Sequence, residues 1–133
     1  MGSYYLINCW SGRGKKDFLD LGCGLGRHTI QFAKAGFNTS GFDLSHTSIV
    51  KTEEYALETG VEVDLKVGDM LNLPYADDSF DYIYCRNVIS HTDTAGMKKI
   101  ILELKRVKER RGVLLDVGLK TNLGVSTKLA NSR

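Results

Sequence analysis

The chain has 133 residues, 42% of them hydrophobic and 26% charged, which is enough for one folded domain with a buried core. Its 18 basic and 16 acidic residues are spread along the chain and give a net charge of +2, so composition provides neither a basic stripe for nucleic acid nor an acidic tail. Cys9, Cys23 and Cys85 form no C-x-x-C pair, which argues against a disulfide framework or a zinc site and favours the cytoplasm. No apolar run reaches the roughly 20 residues of a membrane span, and the first residues lack the pattern of a signal peptide.

The first half of the chain alternates strand-like and helix-like segments. Residues 16–21 form a short apolar run that predicts a strand, and the helical pattern after it stops at Gly36. A second strand is predicted to end at Asp43, and Ser45 follows as the cap of a helix that ends at Gly60. These segments predict two β-α units in succession.

The second half continues the alternation. Residues 61–67 alternate apolar and polar side chains, which predicts a strand at a sheet edge, whereas residues 80–85 read as a buried central strand. An apolar stripe at helical spacing covers residues 97–107, and residues 113–119 supply a fifth strand. Strands that alternate with helices predict an α/β fold with a parallel sheet of order 3-2-1-4-5 and ligands at the carboxyl ends of its strands.

A glycine-rich turn joins the first strand to the first helix. Gly22, Gly24 and Gly26 would let the backbone approach a ligand closely, beside the amide groups of a helix N-terminus. A dinucleotide fingerprint needs another glycine where Arg27 stands, and the Asp20 carboxylate would repel a pyrophosphate. A cationic ligand would instead be attracted by the Asp20 carboxylate. S-adenosylmethionine, with a positive sulfonium and ammonium and a carboxylate for the loop amides, suits both features.

These motifs resemble those of the class I, or Rossmann-like, S-adenosylmethionine-dependent methyltransferases, over residues 15–117. "DFLDLGCGLGRHTIQFAKAGF" is similar to the first motif of that family, "GFDLS" to its second-strand motif, and "VGDMLNLPYADDSFDYIYC" to its third and fourth motifs. The resemblance implies a Rossmann-like three-layer sandwich, one cofactor-binding domain over residues 1–133, and methyl transfer to a small-molecule substrate. No nucleic-acid or membrane partner is expected, because the charges are spread along the chain and no apolar run is long enough for a membrane span.

The resemblance also implies roles for individual residues. It assigns cofactor binding to Asp20, Gly22, Gly24, Gly26, Arg27, Asp43, Leu44, Asp69, Met70 and Cys85. Asp43 would hold the ribose hydroxyls, Asp69 and Met70 would lie at the adenine, and Cys85 would close the pocket after strand four. His91 would lie near the acceptor, where it could take a proton or shape the pocket. Other readings stay open: Asp43 as a charge at a helix N-terminus, Asp69 as a turn residue, and Arg27 as a solvated residue at the start of a helix.

The two ends of the chain depart from the family pattern. The family's sheet has seven strands, of which the last two form an antiparallel pair after a further helix. We expect residues 120–133 to form a C-terminal tail without that pair and residues 1–14 an N-terminal extension. The chain would then be truncated after strand five, whose exposed edge favours a homo-oligomer. Three functions remain open. The chain could transfer a methyl group to a small molecule, it could bind the cofactor without turnover and act through a partner, or it could bind a nicotinamide cofactor.

Overall fold

The computed structural model describes residues 17–86, 94–121 and 124–130. This part of the chain contains nine elements: β1 (Asp17–Leu21), α1 (Arg27–Lys34), β2 (Asn38–Asp43), α2 (His46–Thr59), β3 (Asp64–Val67), β4 (Phe80–Arg86), α3 (Thr94–Val107), β5 (Lys108–Thr121) and β6 (Gly124–Ala130). Ser45 caps α2 as predicted, with its side-chain oxygen accepting a hydrogen bond from the Ser48 amide at 3.2 Å. Among the described helices, none has the length and apolar character needed to cross a membrane.

The strands form one sheet in the order β3-β2-β1-β4-β5-β6. The first five are parallel, which confirms the predicted order 3-2-1-4-5 and the edge position of β3. β3 is shorter than the alternation over residues 61–67 indicates, because its pairing with β2 begins only at the Ser40–Asp64 pair. An alternating pattern marks which side chains are covered, whereas the length of a strand depends on its partner.

β6 is an element that the sequence analysis did not anticipate, because residues 120–133 read as a tail. It follows β5 directly and pairs with it in antiparallel fashion, from Leu114–Ala130 to Thr121–Gly124. It therefore differs from the antiparallel pair after a further helix that the family pattern contains. It also occupies the edge of β5 at which self-association was expected, so that edge is covered within one chain.

The central strands are buried on both faces, which makes the fold a three-layer α/β sandwich. One face of β1 and β4 packs against α3 in a cluster that includes Leu19, Leu21, Ile83, Cys85, Ile100, Leu104 and Val107. The other face packs against α1, where the rings of Phe18 and Phe32 stack with centroids 3.8 Å apart. α2 packs beside α1. Because helices cover both faces, the loops at the carboxyl ends of the strands are the open place for a ligand.

Candidate cofactor-binding site

The loop between β1 and α1 has a left-handed backbone at each of its glycines. The φ angles are 78° at Gly22, 58° at Gly24 and 87° at Gly26, a region that side chains rarely adopt. A Cβ atom on Gly24 would meet nothing within 4 Å, whereas one on Gly26 would lie 2.6 Å from Cγ2 of Thr52. Gly24 thus keeps the surface of the loop open, and Gly26 lets α2 pack closely against it.

Asp43, at the carboxyl end of β2, connects this glycine loop to the start of α2. Its Oδ2 accepts a hydrogen bond from the Gly24 amide at 2.9 Å, and its Oδ1 accepts one from the Ser45 amide at 2.8 Å. The side chain is partly exposed. A carboxylate oxygen can accept more than one hydrogen bond, so both oxygens retain capacity for a ligand. The contact with Ser45 matches the alternative reading of a charge at a helix N-terminus, and the two readings are compatible.

Asp20 lies beneath the glycine loop, only 2% exposed. Its Oδ2 accepts a hydrogen bond from the Thr29 hydroxyl at 2.7 Å, in the first turn of α1. That helix begins after Gly26 without a side-chain cap, so its N-terminus can face an anionic group. A cleft of about 220 Å³ opens here, lined by Asp20, Gly22, Cys23, Gly24, Leu25, Arg27 and His28. The cleft therefore combines a buried negative charge with a helix N-terminus.

Thr52, on α2, is a residue that the sequence analysis missed. It is fully buried, and its hydroxyl lies 3.0 Å from the Gly24 carbonyl and 2.9 Å from the Ser48 carbonyl. The thiol of Cys23 lies 3.9 Å from the same hydroxyl. Burial, with a further contribution from the charge of Asp20, raises the pKa of Cys23 to about 12, so the thiol stays protonated at neutral pH. Cys23 has the buried position of a packing residue.

The loop between β3 and β4, residues 68–79, comes next to Asp43. The Gly68 amide donates to the Asp43 carbonyl at 3.1 Å. Asp69 is exposed, and its Oδ1 accepts from the Leu71 amide at 2.9 Å, which is the turn geometry that the alternative reading predicts. Met70 packs against the core on the α3 side. The structure thus brings the glycine loop, Asp43 and Asp69 to the same edge of the sheet.

The remaining predicted residues differ in how they meet this edge. Leu44 is 67% exposed beside Asp43, and Arg27 is exposed at the start of α1. Cys85 is fully buried within the core cluster that faces α3. This position does not favour a contact between its side chain and a ligand in the cleft. That Cys85 closes the pocket after strand four stays a prediction. His91 lies outside the described residues.

A larger cleft, of about 860 Å³, lies elsewhere in the fold. Its lining includes Asp17, Asn38, Asp64 and Phe80, which are the first residues of β1 to β4 in the sheet. It therefore opens at the amino ends of the strands, away from the glycine loop and Asp43. Size alone does not identify the site, because the groups suited to a cofactor converge at the other edge.

Comparison with known proteins shows which family has this sequence. A family model described as "Methyltransferase domain" matches residues 18–112. Norajmaline N-methyltransferase from Rauvolfia serpentina is 37% identical over 95 residues, which is 69% of this chain and 32% of that protein. The uncharacterized methyltransferase YcgJ from Bacillus subtilis is 32% identical over 104 residues, 77% of this chain and 40% of that protein. The chain thus spans less than half the length of these relatives.

Solved structures share the fold. The PH0226 protein from Pyrococcus horikoshii superposes with a TM-score of 0.77 at 27% identity, over 86% of this chain and 55% of that chain. The YcgJ structure superposes with a TM-score of 0.76 at 30% identity, over 86% of this chain and 49% of that chain.

Proposed function

The chain belongs to the methyltransferase domain family, and from this premise we propose that it binds S-adenosylmethionine over the glycine loop and transfers the methyl group to a small-molecule acceptor in the cytoplasm. The observation that carries the proposal is the position of Asp43. Its carboxylate accepts from the glycine loop and from the start of α2, its main-chain carbonyl accepts from Gly68 in the loop that bears Asp69, and both carboxylate oxygens retain acceptor capacity.

The described residues fit the parts of this cofactor. The Asp43 carboxylate can accept from the two vicinal hydroxyls of a ribose. The open space over Gly24 would admit the ligand where a side chain would obstruct it. The buried Asp20 carboxylate favours positive groups nearby, and the uncapped N-terminus of α1 favours a carboxylate. One cleft thus offers opposite charges for the two charged groups of an amino acid.

The adenine end of the site rests on the resemblance together with the position of the loops. Asp69 and Met70 follow β3 next to Asp43, so a base linked to a ribose at Asp43 would come close to them. Leu44, exposed beside Asp43, offers an apolar surface to the same base. Arg27, an exposed residue in the lining of the cleft, would meet the cofactor carboxylate.

S-adenosylmethionine supplies a methyl group on a sulfonium, and its displacement needs no nucleophile from the protein. The residues of the chain therefore have to position two reactants and limit water. The raised pKa of Cys23 agrees with this, because that thiol does not serve as a nucleophile at neutral pH. His91 is the candidate base for an acceptor that must lose a proton. The name of the Rauvolfia relative describes methylation of norajmaline, which supports a small-molecule acceptor here.

Replacement of Asp43 by Ala tests the proposal. We expect the dissociation constant for S-adenosylhomocysteine, measured by isothermal titration calorimetry, to rise about tenfold or more, because hydrogen bonds to a charged acceptor contribute about 1.5–3 kcal/mol each. Asp64→Ala is the matched control: Asp64 is also a strand aspartate, with its side chain 57% exposed at the start of β3. An unchanged dissociation constant in a folded Asp43→Ala protein would contradict the ribose assignment.

Turnover is tested with the same protein. Release of S-adenosylhomocysteine in the presence of a panel of small amines, phenols and thiols would establish an enzyme. Cofactor binding with no release for any acceptor would instead support a binding domain without turnover.

A further inference from the structure

A single arginine on α3 holds the loop between β3 and β4 (residues 68–79). Arg106 donates from Nη1 to the Tyr75 carbonyl at 2.8 Å and to Oδ1 of Asp77 at 2.9 Å. From Nη2 it donates to the Leu73 carbonyl at 3.0 Å. These contacts join residues up to 33 positions apart in the sequence. The guanidinium therefore fixes three points of one loop through a planar set of donors that lysine cannot reproduce.

Glu103, one turn earlier on α3, completes the attachment. Its Oε2 accepts from the Leu73 amide at 2.7 Å, so both backbone groups of Leu73 are bound to α3. Its two oxygens also accept from Nε and Nη2 of Arg106 at 2.9 and 3.0 Å. In addition, the Asp78 amide donates to the Arg106 carbonyl at 2.9 Å. We call Glu103 and Arg106 the α3 clamp.

The clamp is charged and partly shielded from water. The exposed fractions of the side chains are 12% for Glu103 and 32% for Arg106. The hydrogen bond from Arg106 lowers the pKa of Glu103, and the contacts with Glu103 and Asp77 raise the pKa of Arg106, so both remain ionised at neutral pH. Charge-assisted, paired hydrogen bonds are the strong and directional kind.

The same loop is anchored at its other end to the candidate site. The Gly68 amide donates to the Asp43 carbonyl at 3.1 Å, and the Asn72 amide donates to the Asp69 carbonyl at 3.1 Å. Only the short turn over residues 69–72 therefore separates the anchor at Asp43 from the clamped Leu73. The positions of Asp69 and Met70 follow from both anchors, one of which is α3.

We propose that Glu103 and Arg106 are positioning residues that set base selectivity, because they hold the loop so that Asp69 and Met70 face the adenine end of the cofactor. The inference rests on the proposed function. It assigns to α3, which contributes no residue to the glycine-loop cleft, a role in distinguishing an adenine from other purines. Loss of the clamp would let the loop relax, and the amino group of adenine would then lose its preferred acceptor.

The test compares S-adenosylhomocysteine with S-inosylhomocysteine, which carries a carbonyl oxygen in place of that amino group. Dissociation constants are measured by calorimetry for the wild type and for Arg106→Gln, Glu103→Gln and Lys105→Gln. We expect the wild type to prefer the adenine compound roughly tenfold or more, because a site built around a hydrogen bond rejects an analogue that lacks it. Arg106→Gln and Glu103→Gln should reduce that preference roughly threefold or more. Lys105→Gln, which removes a charge from the adjacent exposed position, should leave it unchanged.

The ratio of the dissociation constants for the two compounds distinguishes a positioning role of the clamp from a merely structural role. Equal losses for both compounds, with the preference of the wild type retained, would show that the clamp only stabilises the fold and would overturn the inference. If Arg106→Gln does not fold, Glu103→Gln carries the test, because glutamine has nearly the size of glutamate and removes only the negative charge that pairs with Arg106. A wild type that binds neither compound would contradict the proposed function itself, and the inference with it. A wild type that is selective, with clamp variants equally selective, would contradict the inference alone.

Discussion

Gly24 and Gly26 share a left-handed backbone but have different neighbours. A side chain on Gly24 would project into open space over the cleft, whereas one on Gly26 would collide with the buried Thr52. The sequence pattern shows that both positions need glycine, but it does not separate the two reasons. The structure shows open space at the first position, which agrees with the proposed ligand access, and helix packing at the second.

This difference makes the two alanine variants distinguishable. Gly24→Ala should lose about 1–2 kcal/mol of the free energy of unfolding, through the left-handed backbone, and should also lose affinity because its methyl group enters the cleft. Gly60→Ala is the control, since Gly60 has a φ of 80° and open space around a Cβ, but ends α2 away from the cleft. Gly26→Ala should lose about 1–3 kcal/mol more of the free energy of unfolding than Gly24→Ala does, because its methyl group overpacks against Thr52. Urea unfolding and calorimetry with S-adenosylhomocysteine measure both effects, and equal affinities for Gly24→Ala and Gly60→Ala would contradict the assignment.

Residues with local requirements were the predictable part of the site. Glycines at alternate positions predict a tight turn and an aspartate at a strand end lies at the carboxyl edge of the sheet, so the placement of Gly24 and Asp43 could be predicted from the sequence. Thr52 and Arg106 could not, because their partners lie 28 and 33 residues away and a lone threonine or arginine on a helix has no distinctive pattern. Their roles depend on how the helices pack.

At the scale of elements, α3 shows what periodicity can and cannot predict. The apolar stripe over residues 97–107 is confirmed as core, since Ile100, Leu104 and Val107 are buried. The same helix carries Glu103 and Arg106, which a helical wheel would place on a solvated face. Burial of one face can be read from hydropathy, whereas attachment of a loop by polar side chains requires the three-dimensional contact.

The clamp predicts a pH dependence of stability. Because the pKa of Glu103 is lower in the folded protein than in the unfolded chain, its contribution is fully present above the ordinary glutamate pKa of about 4.3 and is lost as the pH falls through the folded value. Urea unfolding should therefore show wild type more stable than Glu103→Gln at neutral pH, with the difference shrinking on acidification. A difference that stays constant down to acid pH would show that the charge on Glu103 does not stabilise the fold.

β5 and β6 show a second limit at this scale. β5 extends over Lys108–Thr121 and has an irregular register between the pairs Phe80–Lys108 and Tyr82–Val113, whereas the sequence placed the strand after Gly112. β6 depends on β5 for its pairing, so its extent follows from the partner rather than from its own composition. Strands with a buried face of their own, such as β4, were the ones predicted well.

At the scale of the whole molecule, the alternation of strands and helices was sufficient to predict the five parallel strands of the sheet and their order. Once helices cover both faces, the carboxyl edge is where the glycine loop, Asp43 and Asp69 converge. The acceptor could not be predicted in the same way. The proposed methyl displacement requires no nucleophile or metal, so acceptor binding would leave no motif comparable to the glycine loop. The family match over residues 18–112 describes the shared domain rather than the acceptor.

The most direct test of the account is calorimetry of the whole chain with S-adenosylhomocysteine, S-adenosylmethionine and NAD. We predict that both sulfur compounds bind and stabilise the protein, by about 2.7 kcal/mol at 100 times the dissociation constant, since they place positive or neutral groups near the buried Asp20 carboxylate. NAD should bind far more weakly, because its pyrophosphate would lie against the same negative charge. Tighter binding of NAD than of S-adenosylmethionine would contradict the central claim.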